Sequence, residues 1–420
     1  MSKRSNRQFP EAGLGIDALR AKMDALAADD RRWDDPRNLK ASYWAGEDVV
    51  AVAREAYDRH IGDNVIYGAS MFPSLLRYEA EVTAMALDML DAPEGAGGGI
   101  TTGGTESILM AVRTARDWAR QHRARATQPE ILLPETAHPA FEKAAHLTGL
   151  AVRRMTTSPG YRADVRAMVE AVNENTIMLV GSAPPYPYAL VDPIAEIAAL
   201  ASRHGLWMHV DACVGGFVLP FLRELGAPVP PFDFSVPGVM SISADLHKFG
   251  YSGRGASLLL LRDKANERYQ RFSSGAWPSG TYSTLNFGGS RNGGAIASSW
   301  AVMRYLGRAG YRERAAGILE TKRKLAAGLA AGGRLKLLGE PEGAHVSVVS
   351  DALDMVAVAE GMEARGWMFG RLQRPPGLVL ILTPRHSGIV ENLLADFAAV
   401  AAEVVAGKRV AAGGAAVYVG

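Results

Sequence analysis

From Met71 onward the sequence alternates segments of helical periodicity with short apolar runs, and this alternation is the strongest constraint on what the chain can fold into. EAEVTAMALDML, TESILMAVRTARDWARQ, FEKAAHLTG and PIAEIAALASRHG have helical character, and between and beyond them stand ILLPE, TIMLVGSA, WMHVDA, SISAD and SLLLLRD. Runs this short and this apolar predict an α/β fold with a mostly parallel sheet covered by helices on both faces. Ligands of such sheets bind beyond the carboxyl ends of the strands, where Ser182, Asp211 and Asp245 fall. After a helix around Ile296 to Leu306 the rhythm changes. RERAAGILETKRKLAAGLAA, the runs RLKLLG, HVSVVS and LVLILTP, and the helical DMVAVAEGMEARG and IVENLLADFAAVAAEVV predict a small α+β unit. Ahead of Met71, IDALRAKMDALAADD places Ile16, Leu19, Met23 and Leu26 at helical spacing, and EDVVAVAREAYDRH adds a second helix with no strand to pack on. The expected division is an N-terminal arm over 1–70, a large domain over 71–307 and a small C-terminal domain over 308–420, the last dozen residues being loosely held.

Composition narrows the function. With 420 residues, 48% of them hydrophobic, the chain can bury a large core. The formal charge is only +2, from 46 Lys+Arg against 44 Asp+Glu, and runs such as RRWDDPR at Arg31 to Arg37 mix the signs, which argues against a nucleic-acid surface. The single cysteine, Cys213, cannot form an internal disulfide. No apolar stretch reaches the roughly eighteen residues of a membrane span, and MSKRSNRQFPEAG lacks the apolar centre of a signal peptide, so a soluble cytoplasmic protein is expected.

Two segments carry the chemistry. HVDACVGGF, from His209 to Phe217, places Asp211 at a strand end, and SISADLHKFGYSGRGAS, from Ser241 to Ser257, places Lys248 after another. Either residue alone has an ordinary reading, a turn-capping aspartate or a solvated lysine. Together they are the two charges that pyridoxal phosphate requires: an acid that keeps the pyridine nitrogen protonated and an amine that bonds to the aldehyde. Leu246 and Phe249, with the cations His247 and Arg254, are expected to lower the pKa of Lys248 so that it attacks as a free amine. GGGITTGGTES, from Gly97 to Ser107, opens a helix. Gly103 and Gly104 admit a phosphate closely, Thr105 offers a hydroxyl and an amide, and the helix N-terminus adds positive charge. The alternative is a plain glycine-rich loop with Thr105 as a cap, and no apolar strand is read before these glycines, unlike a dinucleotide fingerprint. His138, between a strand and a helix, suits an imidazole laid on a cofactor ring. His146 is read as structural, and the pair lacks a third metal ligand.

The order TTGGTES, His138, HVDACVGGF, SISADLHKFGY and GGSRNGG resembles the sphingosine 1-phosphate lyases, within the group II decarboxylase branch of fold-type I pyridoxal phosphate enzymes, over about 41–310. The resemblance implies retro-aldol cleavage of a phosphorylated long-chain amino alcohol to a fatty aldehyde and phosphoethanolamine. It places the cofactor-bonding lysine on Lys248, the ring-nitrogen acid on Asp211 and the stacking histidine on His138. It assigns the phosphate cup to Gly104, Thr105 and His247, completed by Gly289 and Ser290 from the second copy of a homodimer with shared sites. Tyr67, Tyr188 and Tyr251 are expected to touch the amino substrate, and Arg254 its anionic group. The chain departs from the family at NVIYGASMFP, where Gly68 stands in place of a substrate-contacting histidine. It departs again at Arg254, which replaces a lysine, and at Tyr188, where some relatives carry histidine. The same ring, acid and amine would also serve an amino-acid decarboxylase, which is the second reading.

Overall fold

The computed structural model describes residues 9–40 and 42–411. The opening MSKRSNRQ and most of the last dozen residues, for which expectations were stated above, lie outside the described residues.

Seven strands form the large sheet: β1 (Gly97–Thr101), β2 (Glu130–Pro134), β3 (Ala151–Met155), β4 (Thr176–Ser182), β5 (Trp207–Asp211), β6 (Ser241–Ala244) and β7 (Ser257–Leu261). Their order is β1-β7-β6-β5-β4-β2-β3, and only β7 runs antiparallel to its neighbours. The central runs are apolar because both faces are covered: Ile131 to Leu133, Ile177 to Val180, and Leu258 to Leu261 are all buried. Helices α1 (Ile16–Leu26), α2 (Glu47–Arg59) and α3 (Pro73–Met89) precede the sheet, and α4 (Gly104–His122), α5 (Ala140–Thr148), α6 (Val165–Ala171), α7 (Ile194–His204) and α8 (Leu219–Glu224) are interleaved with it. Among the described residues no helix is long and apolar enough to cross a membrane.

The glycine run read as loop is itself a strand. Gly97 to Thr101 pairs along its whole length with β7, and Gly98 sits at φ +141 with its backbone against that neighbour. A Cβ on Gly98 would lie 2.3 Å from the Leu259 carbonyl oxygen, so close approach, not loop flexibility, explains the glycine. Gly98→Ala is expected to cost about 2 kcal/mol or more of stability, measurable as a lower urea midpoint at unchanged slope.

Beyond β7 a hairpin that the sequence reading did not anticipate, β8 (Phe272–Trp277) and β9 (Gly280–Thr284), projects with mostly exposed residues. Helix α9 (Gly293–Gly332) then runs on past a break at Gly307, where φ is +54 and ψ is −176. It leads to an antiparallel sheet of β10 (Lys336–Leu337), β11 (His345–Val349), β12 (Gly370–Gln373) and β13 (Pro376–Ile381), in the order β10-β11-β13-β12, flanked by α10 (Met355–Ala364) and α11 (Val390–Val405). β12 has too few apolar residues to be read as a strand, and pairing with β13 creates it. This sheet grips the loop after β4: His345 Nε2 lies 3.2 Å from the Pro185 carbonyl, and Ser347 donates to that of Pro187 at 2.7 Å.

Candidate active site

The sheet gathers the chemistry at one edge. Ser182, Asp211 and Ser243 are in register on adjacent parallel strands, so the chain leaves β4, β5 and β6 at the same level. Asp211 is buried, its Oδ1 accepting from the Cys213 amide at 3.1 Å and from Ser243 Oγ at 3.4 Å. These bonds fix the carboxylate at the strand end as a preformed acceptor.

Lys248 lies in the turn after β6, between the buried Leu246 and Phe249. Its Nζ is 3.0 Å from Asp245 Oδ2, with 23% of the side chain still accessible to an incoming ligand. Burial works against the ammonium, but the adjacent Asp245 carboxylate outweighs it and holds the amine above the usual lysine range. The expected lowering by His247 and Arg254 is thereby corrected, because only the fold of the turn brings the Asp245 carboxylate back onto the amine. The pair thus rests as ammonium and carboxylate, each holding the other charged.

Both histidines stay neutral. Burial lowers His138 against the pull of Asp211, and burial lowers His247 against that of Asp245. His138 Nδ1 accepts from the Ala140 amide at 3.1 Å, and His247 Nδ1 from the Ala256 amide at 3.2 Å, so in each ring the proton sits on Nε2. His138 is exposed yet senses the charges of Asp211 and Lys248, so a flat ligand can reach it at the sheet edge.

The loop before α4 meets this cluster. A Cβ on Gly104 would lie 2.9 Å from Asp245 Oδ1 and 3.0 Å from Cys213 Sγ, and one on Gly103 would be 3.6 Å from the His247 ring. Gly104 thus lets the backbone at the start of α4 pack directly on Asp245 and Cys213, with Gly103 beside the His247 ring and Thr105 exposed next to them, and among the described residues the buried Ser182 hydroxyl has no hydrogen-bond partner. A small anionic aromatic ligand fits these features.

Not every expected residue joins them. Tyr251 is a core residue, packed between Phe249 and Tyr311 at 6.2 and 6.0 Å between ring centroids, and burial pushes its phenol up. Its expected role as a substrate contact is corrected accordingly. Tyr188 turns to the small sheet, donating to the Arg374 carbonyl at 2.7 Å. Tyr67 is 54% exposed, on a short turn of helix whose neighbour Asn64 donates to Ser290 Oγ at 2.9 Å. Tyr67, Gly289 and Ser290 therefore share a surface patch, and none of their described contacts is to Lys248 or Asp211. Arg254 lies over the ring of Tyr43 at 5.6 Å and near His247. Tyr43 itself was missed: it comes from the segment before α2, packs edge-on against Phe249 at 5.1 Å, and feels the charges of Lys248 and Arg254. No local pattern marks such a residue, because only chain folding brings the arm to the lysine.

Fold and site together define a pyridoxal phosphate enzyme, with Lys248, Asp211 and the Gly103–Gly104 turn at the carboxyl edge of one sheet. The sequence pattern of the pyridoxal-dependent decarboxylase conserved domain matches residues 2–349, and the chain belongs to that family. It is 39% identical to a sphingosine-1-phosphate lyase of Oryza sativa over 93% of this chain and 73% of the relative. It is 34% identical to a probable L-tyrosine/L-aspartate decarboxylase of Methanothermobacter thermautotrophicus, over 82% of this chain and 93% of the relative. The solved structure of a Burkholderia pseudomallei sphingosine-1-phosphate lyase superposes with a TM-score of 0.91 at 37% identity, covering 96% of this chain and 94% of that one.

Proposed function

We propose that this protein is a carbon-carbon lyase that cleaves a phosphorylated long-chain amino alcohol of the sphingosine 1-phosphate kind, releasing a fatty aldehyde and phosphoethanolamine. The observation that carries the proposal is the meeting of Lys248, Asp211, His138 and the Gly103–Gly104 turn at one sheet edge in a chain similar to lyases throughout its length. When bound, the cofactor supplies an electron sink for the pair left on the α-carbon as the bond to the hydroxyl-bearing carbon breaks. The protein supplies the rest. Asp211 would hold the ring nitrogen protonated, Lys248 would be the amine that bonds to the aldehyde, and neutral His138 would lie over the ring. Gly104, Thr105 and His247 would take the phosphate of the cofactor. Arg254, with its guanidinium over Tyr43, is the cation assigned to the anionic end of the substrate.

The same reading makes the protein a homodimer with shared sites, acting in the cytoplasm. The dimer is supported by the surface patch of Tyr67, Gly289 and Ser290, which has no described contact to Lys248 or Asp211 and is open to a second copy. We place the division of the chain at the Gly307 break, with 1–70 as an arm, 71–307 as the cofactor domain and 308–420 as the small domain.

Amino-acid decarboxylation is the second reading, favoured by the archaeal relative. Incubating the cofactor-loaded protein with sphingosine 1-phosphate, and separately with a panel of amino acids, distinguishes the two. Fatty aldehyde and phosphoethanolamine in equal amounts are expected. Carbon dioxide from an amino acid with no aldehyde from the lipid would replace the lyase by the decarboxylase.

A further inference from the structure

The outer side of the phosphate loop carries a contact that the proposed chemistry leaves unexplained. Glu106, the third residue of α4, is buried. Its Oε2 accepts from the Thr102 amide at 2.7 Å and from Thr102 Oγ1 at 2.5 Å. Its Oε1 accepts from the amides of Phe287 at 3.0 Å and Gly288 at 3.4 Å. Asn286 Nδ2 and Arg291 Nη1 each donate to the Ile100 carbonyl at 2.8 Å, and Glu79, which accepts from the Ile100 amide at 2.9 Å, is paired with Arg291. Residues 286–291 are thus seated along β1 and the first turn of α4, and Glu106 is the side chain that bonds the phosphate loop with one oxygen and the incoming segment with the other.

Helix capping accounts for half of this. An acid in the first turn of a helix is favourable, and a side chain reaching back to Thr102 satisfies a donor at the helix start. Capping does not account for the second oxygen, which is committed to two amides of a segment 181 and 182 positions away.

We propose that Glu106 is a positioning residue that sets loop 286–290 against the phosphate loop and so couples the cofactor site of one subunit to that of its neighbour. The proposal rests on the shared-site reading above, in which Gly289 and Ser290 reach the cofactor phosphate of the second copy. Glutamate satisfies both sides only because both of its oxygens accept. Glutamine keeps one acceptor for Thr102 and turns an amide donor toward the amides of Phe287 and Gly288, so Glu106→Gln releases the loop and spares the cap.

Hydrogen exchange on the cofactor-free protein gives the first readout. In E106Q the amides of Phe287 and Gly288 are expected to exchange about tenfold faster or more, with the first turn of α4 unchanged. Gly288→Pro, which removes one donor and leaves Glu106 and Thr102 intact, gives the same exposure of Phe287 should E106Q fail to fold. Mixed dimers give the second, read as cofactor affinity at the one site that retains Lys248. Wild type paired with the doubly substituted E106Q/K248A chain is expected to bind the cofactor about tenfold more weakly, while an E106Q chain paired with a K248A chain binds as wild type does. A defect that stays with the chain carrying the substitution, or unchanged exchange at Phe287 and Gly288, overturns the role given to Glu106. A wild-type protein that binds cofactor as a monomer in sedimentation equilibrium refutes the shared-site reading instead.

Discussion

Lys248→Ala is expected to reduce turnover by about 10⁴-fold or more and to abolish the visible absorbance of the cofactor-loaded protein, because no other amine stands against Asp245 to take its place. The substitution also has a cost in stability. Asp245 is 2% exposed and its Oδ2 is paired with Lys248 at 3.0 Å, so deleting the ammonium leaves a buried carboxylate without its cation. Losing one member of such a pair costs about 3 kcal/mol, the low end of the usual range because part of the lysine is open to water. Lys248→Arg separates the two effects: the guanidinium keeps a charge beside Asp245 but does not bond to the aldehyde. K248R should therefore melt near wild type in the cofactor-free state and still be inactive, whereas the loss of activity in K248A comes with a lower urea midpoint. Full activity in either variant removes Lys248 from the chemistry.

Acid is expected to unfold the protein through its buried histidines. His209, His345 and His386 are almost wholly inaccessible, and burial pushes each of them down to about 4 from the ordinary 6.5. Between those values the unfolded chain binds protons that the folded chain refuses, so stability is complete above pH 6.5 and falls as the pH drops toward 4. Each histidine weakens the fold by about 3 kcal/mol across that interval. Asp192 acts in the opposite sense. Burial raises its carboxyl to about 6 from 3.8, so the folded chain takes up this proton first and gains about 3 kcal/mol as the pH falls. The net loss of about 6 kcal/mol is comparable with the whole stability of an ordinary domain. Urea midpoints at pH 7.5 and pH 4.5 measure it. His209→Gln, whose side chain can still hydrogen-bond to Ser241 as His209 Nδ1 does at 2.8 Å, should flatten the net dependence by about one half. A midpoint that does not move between the two pH values shows that these rings are not held neutral.

The central strands of the large sheet were legible because they are buried on both faces and therefore mostly apolar, as in Ile177 to Val180 and Leu258 to Leu261. β1, β3 and β12 were not: β1 is built of glycines, Gly98 among them required by the close approach of β7, β3 is a half-exposed edge strand carrying Arg153 and Arg154, and β12 is held by pairing with β13. Asp211, Lys248 and the Gly103–Gly104 turn stand out in the sequence because each sits at the end of an element with an unusual local composition. Tyr251 was misread: an aromatic three places after the lysine looks available for substrate, but the chain turns its ring onto Tyr311.

The sequence by itself determined which residue types lie at strand ends, and hence the cofactor and the amine and acid proposed to serve it, because these depend on local order along the chain. Tertiary structure decided their charge states and their company. Asp245 lifts the basicity of Lys248, Tyr43 arrives from the arm, and Glu106 spans to Phe287, all through contacts between segments far apart in the chain. Electrostatic energies grow as water is excluded, and how much water is excluded at a given atom is a property of the packed molecule that no stretch of sequence carries.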